Sequence, residues 1–103
     1  MSPVVTVPSR PTAPSGSVAS TFACIRQHES GGNYANADTG HNGHYGAYQY
    51  SPTTWNYSAK SAGYGQYANG RADLAPPAVQ DAVSIWLQAT HGWSAWYGDG
   101  CVR

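Results

Sequence analysis

Two cysteines, Cys24 and Cys101, stand near the two ends of the part of this chain that can pack, and they constrain it more than any other feature. Their number is even, and a chain of 103 residues builds only a small core, so a disulfide is the natural reading, set against two unrelated buried thiols. The bridge would return the end of the chain to its first helix and implies an oxidising compartment. Closing so long a loop is worth ~4 kcal/mol in the chain-entropy account. The length allows one small domain.

Composition narrows what that domain can meet. Charged residues make up 10% of the chain and the formal net charge is zero. A duplex or an anionic membrane is met by a basic patch, and five scattered cations form none; neither nucleic acid nor membrane is an expected partner. Disorder throughout is excluded by 41% apolar and 13% aromatic residues. No apolar run approaches the ~18–20 residues of a membrane span. Four Trp and eight Tyr with twelve Gly offer uncharged surfaces suited to neutral polymers such as glycans, or simply an aromatic core.

Residues 1–20 hold four of the seven prolines and read as a flexible Pro/Ser-rich linker, which places the domain at 21–103. No signal peptide is legible at the start, so a secreted protein would have lost its leader or left by another route. A first helix is expected over Phe22–Glu29, capped by Ser20 or Thr21 and stopped by Gly31-Gly32. Residues 33–50 read as a β-hairpin and loop, with Asn42-Gly43 as a type I′ turn. Ser51-Pro52 opens a second helix that runs to about Ala62 before Gly63. Pro76-Pro77 start the longest helix, which ends near His91-Gly92. Its wide stripe of Val79, Ala82, Val83, Trp86 and Thr90, flanked by Ile85, Leu87 and Ala89, marks it as the central buried helix.

Glu29 is the only glutamate. At a helix C-terminus the dipole disfavours its charge, and aromatic burial would do so again, while Arg26 could oppose both. A carboxyl kept protonated near neutrality is what a general acid needs to protonate a glycosidic oxygen; the plain alternative is a solvated helix-end glutamate. Three histidines, His28, His41 and His44, could in principle ligate zinc. However, His41 and His44 flank a turn with no Cys or carboxylate in register, so no metal is assigned. No phosphate loop, Ser-centred elbow or basic run is present.

The stretches HESGGNY (28–34), HYGAYQYSPTTW (44–55), RADLA (71–75) and HGWSAW (91–96) resemble, in order and spacing, the catalytic domain of the resuscitation-promoting factors. These are secreted, lysozyme-like peptidoglycan hydrolases of Gram-positive actinobacteria whose core is shared with lytic transglycosylases. The resemblance implies Glu29 as the catalytic acid, an aromatic-lined cleft on residues 33–50, Gln49 at the strand-to-helix junction and the helical pair Thr54-Trp55. Members of that family carry a cysteine directly before the glutamate, where this chain has His28; Cys24 lies one helical turn earlier and Cys101 two places later than the family's positions. His91 stands where Gln is frequent, and Ser51 where some members have Asp. Those last two changes bear on substrate contacts, not on the acid.

The expectation is thus an α+β, lysozyme-like domain, mainly helical with one short β-hairpin and a disulfide staple. It would be a monomer that cleaves the β-1,4 bond between N-acetylmuramic acid and N-acetylglucosamine of peptidoglycan glycan strands at the cell wall, with no cofactor. Glu29 is the acid, and Tyr34, Asp38, Tyr45, Tyr48, Gln49, Thr54, Trp55, His91 and Trp93 contact the sugars. The rival is a non-catalytic glycan-binding or signalling module on the same fold. Of the aspartates, Asp73 and Asp81 fall in the distal loop and the long helix and Asp99 in the tail, which leaves Asp38 facing Glu29. No required carboxylate stands at that position in the family, so a single-glutamate route is expected.

Overall fold

The computed structural model describes residues 16–38 and 40–101. Most of the expected linker therefore lies outside the described residues, but its last five positions, 16–20, are helical. The first helix, α1, spans Gly16–Ser30 and starts well before Phe22. The cause is tertiary. Val18 is partly buried and packs against the core, as do the buried Phe22 and Ile25. Spacings of four and three put all of them on one face. Ser17, Ser20 and Thr21 have only middling helix propensity, so packing decides where the helix starts. At the other end, Gly31 and Gly32 take positive φ. Their N–H groups bond to the carbonyls of Gln27 and Arg26, each at 3.0 Å, and this closes the last turn beside Glu29.

Helix α2, Pro52–Ser61, has proline in its first turn and Ser51 as N-cap, whose hydroxyl accepts from the Thr54 N–H. Helix α3, Pro77–His91, ends at Gly92 with φ 75°. Short 3₁₀ turns at Gly65–Tyr67 and Ala72–Leu74 join α2 to α3, and another, Ser94–Asp99, follows α3. The terminal segment returns to α1, where Cys24 and Cys101 are disulfide-bonded with their Cα atoms 5.8 Å apart.

Two expectations need correction. Among the described residues no strand forms; Ala37–Tyr45 and Tyr45–Tyr50 are isolated antiparallel bridges. Positive φ falls at Asp38, His41 and Gly43, not at Asn42, so the type I′ turn is absent. Asp38 Oδ1 instead accepts from the N–H groups of Asn42 and Gly43, at 2.7 and 3.0 Å. These donors are spent on the loop itself. The true reversal comes later. Tyr45 and Tyr50 exchange two backbone bonds of 2.9 Å around a tight turn with Gly46 and Gln49 at positive φ.

The second correction concerns α3. The stripe it buries is narrower than expected and shifted: its buried residues are Val79, Gln80, Val83, Ser84 and Leu87, while Ile85 and Trp86 are only partly covered and Ala89 and Thr90 are exposed. Two polar side chains thus lie on the inner face, and both are bonded. Gln80 Oε1 accepts from the Ala47 N–H, and Nε2 donates to the carbonyls of Tyr34 and Ala75, all at 2.9 Å. Ser84 donates to the Gln80 carbonyl and accepts from the Tyr50 hydroxyl. A buried amide fully satisfied in this way ties the 33–50 loop to α3. The core around it is aromatic: Tyr50 meets Trp55 at 5.3 Å between ring centroids, and Phe22 meets Trp93 at 5.0 Å and Trp96 at 5.9 Å.

Candidate active site

Glu29 sits in the last turn of α1, half-buried. Burial pushes its carboxyl up to about 8, helped by a hydrogen bond and like-charge repulsion from Asp99. Arg26 does not counter this. Its Nη1 donates to the Tyr48 hydroxyl at 2.7 Å and lies 3.9 Å from Asp81. Asp81 Oδ1 also accepts from the hydroxyls of Tyr34 and Tyr48, at 2.7 and 2.6 Å. This polar knot links α1, the loop and α3. Burial and the Asp81 carboxylate raise the Tyr34 hydroxyl to about 12 and push that of Tyr48 up as well. The phenols therefore stay neutral donors.

The carboxylate that meets Glu29 is Asp99, not Asp38. Asp38 is occupied in its own loop, whereas the Asp99 side chain bonds to that of Glu29. Sequence reasoning set Asp99 aside as a tail residue. The signal that could have found it is its position two residues before Cys101, since the bridge to Cys24 draws the tail onto the helix that carries Glu29.

The expected sugar contacts separate into two groups. Tyr48 is 2% exposed and Trp55 wholly buried, with the Trp55 Nε1–H donating to the Tyr67 carbonyl at 2.7 Å. Both support the surface from beneath and present no face to a ligand. The Tyr34 hydroxyl is engaged by Asp81, the Tyr45 ring is covered by the Arg71 guanidinium at 4.6 Å from its centroid, and Trp93 packs on Phe22. Arg71 is itself held by two 2.7 Å bonds to Asp73. Gln49 is partly exposed, and its Nε2 donates to the Gly46 carbonyl.

Thr54 and His91 share a surface cleft of about 400 Å³ with Thr53, Tyr57, Leu87, Ser94 and Ala95. Tyr57, 52% exposed, bonds through its hydroxyl to His91 Nε2 at 3.1 Å. Trp86 packs edge-on against both rings, at 5.9 and 5.6 Å. Tyr57 and Trp86 are not among the expected contacts: the resemblance singles out Thr54-Trp55 on α2, and Trp86 falls in the apolar stripe of α3. The Ser94–Asp99 turn connects the two regions: Ser94 and Ala95 wall the cleft, and Asp99 reaches Glu29.

Of the histidines, His28 lies with both disulfide sulfurs in a group whose ligand atoms are within 4.8 Å of one another. Those sulfurs are bonded to each other, so they are not thiolate ligands. No described helix is long and apolar enough to cross a membrane.

A small helical domain, stapled by one disulfide and carrying at a helix end a single glutamic acid whose carboxyl burial pushes up, has the make-up of a glycan-cleaving enzyme. The transglycosylase-like domain family, of the resuscitation-promoting-factor type, matches residues 16–98, and the chain belongs to it. That membership implies a peptidoglycan-cleaving activity. No curated protein matches the chain. A domain that acts on the cell wall and holds a disulfide is consistent with a place outside the cytoplasm.

Proposed function

We propose that the protein cleaves the β-1,4 bond between N-acetylmuramic acid and N-acetylglucosamine, with Glu29 as its one acid and base. The observation that carries this reading is the Glu29 carboxyl held up to about 8 by burial and Asp99. A carboxyl in that state keeps its proton at neutral pH and can hand it to a glycosidic oxygen. The C1–O bond of the muramic acid then breaks as the leaving sugar takes the proton. The substrate's own N-acetyl group assists, since Asp38 is engaged in its own loop and Asp99 is bonded directly to Glu29. Two-carboxylate glycosidases need a separation of ~5–9.5 Å between the two groups to admit a sugar carbon or a water. In the second half the muramic acid 6-hydroxyl attacks C1, its proton returns to Glu29, and a 1,6-anhydro sugar leaves.

The cleft lined by Thr54, Tyr57 and His91 is suited to a sugar ring, with one flat exposed aromatic and hydroxyl and imidazole groups at its rim. The protein acts as a monomer outside the cytoplasm and needs no cofactor. Mass spectrometry of the products released from purified peptidoglycan tests bond and outcome together. Anhydro-muramyl ends are expected from the wild type and are expected to be lost with Glu29→Gln. Intact glycan strands with wild-type protein would instead support a binding module, and reducing muramic acid ends would mean that water attacks.

A further inference from the structure

We propose that Asp99 is a positioning residue of this site: its carboxyl group and that of Glu29 hold one proton between them, and the Cys24–Cys101 bridge keeps the two groups together. The inference rests on Glu29 being the acid. Three observations carry it. The Asp99 carboxyl lies near enough to act on that of Glu29 both as a hydrogen-bond partner and as a like charge, and two carboxyl groups can bond only when one of them holds a proton. Asp99 Oδ2 is buried and no N–H or O–H group of the described residues reaches it. A buried acceptor without a donor is costly, and a neighbouring protonated carboxyl relieves that cost. The third observation is the tether. Cys101, two residues on, is bonded to Cys24, one turn up α1 from His28 and Glu29, and the Cys101 Sγ contacts the Asp99 carbonyl at 4.0 Å.

Other charged groups near the pair are committed elsewhere. On α1, Arg26 is engaged by Tyr48 and Asp81, and His28 stands by the disulfide. Across from α1, the Ser94–Asp99 turn presents Asp99 alone; from α3, Asp81 is tied to Tyr34 and Tyr48. Among the described residues, Asp99 is the ionisable side chain that acts on the Glu29 carboxyl. Two like charges at hydrogen-bond distance resist joint ionisation, as in other carboxyl dyads. The pair is too close to flank a sugar from opposite faces, so Asp99 acts through Glu29 and not on the substrate.

Glu29 is the only glutamate, so protein labelled with ¹³C at glutamate carboxyl carbons shows one side-chain glutamate resonance to titrate. In the wild type its midpoint is expected near 8. In Asp99→Asn the midpoint should fall at least tenfold in proton affinity, yet stay above that of a free glutamate, since burial remains. The alkaline limb of the wall-lysis profile should move by the same amount. An unchanged Glu29 midpoint in Asp99→Asn overturns the proposal. Should that variant not fold, Asp99→Ser labelled in the same way decides the matter: its Glu29 midpoint should fall likewise, and an unchanged midpoint overturns the proposal. Both titrations are read without substrate. A Glu29 midpoint that falls on loss of the Asp99 carboxyl, in a protein that leaves peptidoglycan uncut, would retain the dyad and refute the enzymatic reading alone.

Discussion

Glu29 combines two properties that pull against each other. An ordinary glutamate titrates at 4.5, and this one at about 8. Below the lower value the folded and unfolded chains both hold the proton. As the pH rises from 4.5 to 8, the unfolded chain releases it while the folded chain keeps it, so the fold loses stability across that window and the loss is complete above 8. Glu29→Gln cannot ionise. It should therefore unfold at a higher denaturant concentration than wild type above pH 8, with no difference near pH 4. The gap is expected to be about 1–2 kcal/mol, after allowance for solvent screening at a half-exposed group. The same substitution should reduce wall lysis by ~10²–10⁴-fold, the share ascribed to general acid catalysis. Lysis by the wild type should decline as the pH rises through about 8, where the acid loses its proton; a rate that keeps climbing beyond that point would contradict the assignment. A cost in stability at the residue proposed to supply the chemistry is the usual trade at an active site.

At the scale of elements, the contact between the 46–49 turn and α3 governs whether the loop lies where the site needs it. Gly46 has φ 83°, and a Cβ built there would meet Gln80 Oε1 at 2.6 Å and the Ala72 Cβ at 3.2 Å. Gly46→Ala should thus cost more than ~2 kcal/mol, from left-handed backbone strain and a close contact together. Gln80→Leu should cost ~3 kcal/mol or more, because it orphans the Ala47 N–H and the carbonyls of Tyr34 and Ala75. Urea melts of both variants check these values. Since the two residues touch, the double variant should cost less than the sum. The hairpin expected from Asn42-Gly43 fails at this same scale. A turn dipeptide specifies a hairpin only when its flanks can pair, and here Asp38 takes the donors of Asn42 and Gly43.

For the whole molecule, the disulfide decides how the chain closes. Removing it through Cys101→Ser should lower stability by ~2–4 kcal/mol in urea melts. Thiol titration of the untreated native protein should find no reactive cysteine, in keeping with the observed bridge. The start of the fold is testable by truncation. A chain beginning at Gly16 keeps all of α1, whereas one beginning at Thr21 loses Val18 and its packing against the core. The second should be less stable than the first by about 1 kcal/mol, the worth of a half-buried valine. Equal melts would put the domain boundary back at Thr21.

Much of this could be read in the chain alone because it depends on neighbours in sequence. The ends of α2 and α3 follow from Ser51-Pro52, Pro76-Pro77 and the glycines that stop them, and the proposed acid stands out as the single glutamate before Gly31-Gly32. The cysteine count pointed to the bridge, and four spaced blocks to the family. Tertiary structure alone decided which face of α3 turns inward, since Gln80 and Ser84 become good core residues only once Ala47, Tyr34 and Tyr50 supply partners. It also separated Tyr48 and Trp55, which are buried, from Tyr57 and His91 at the cleft; an aromatic side chain reads the same in sequence whether it fills a core or meets a sugar. The pairing of Glu29 with Asp99 lies furthest from sequence. Seventy residues separate the two along the chain, and what raises the Glu29 carboxyl is lost water and a second carboxyl group, both set by how the tail packs against α1.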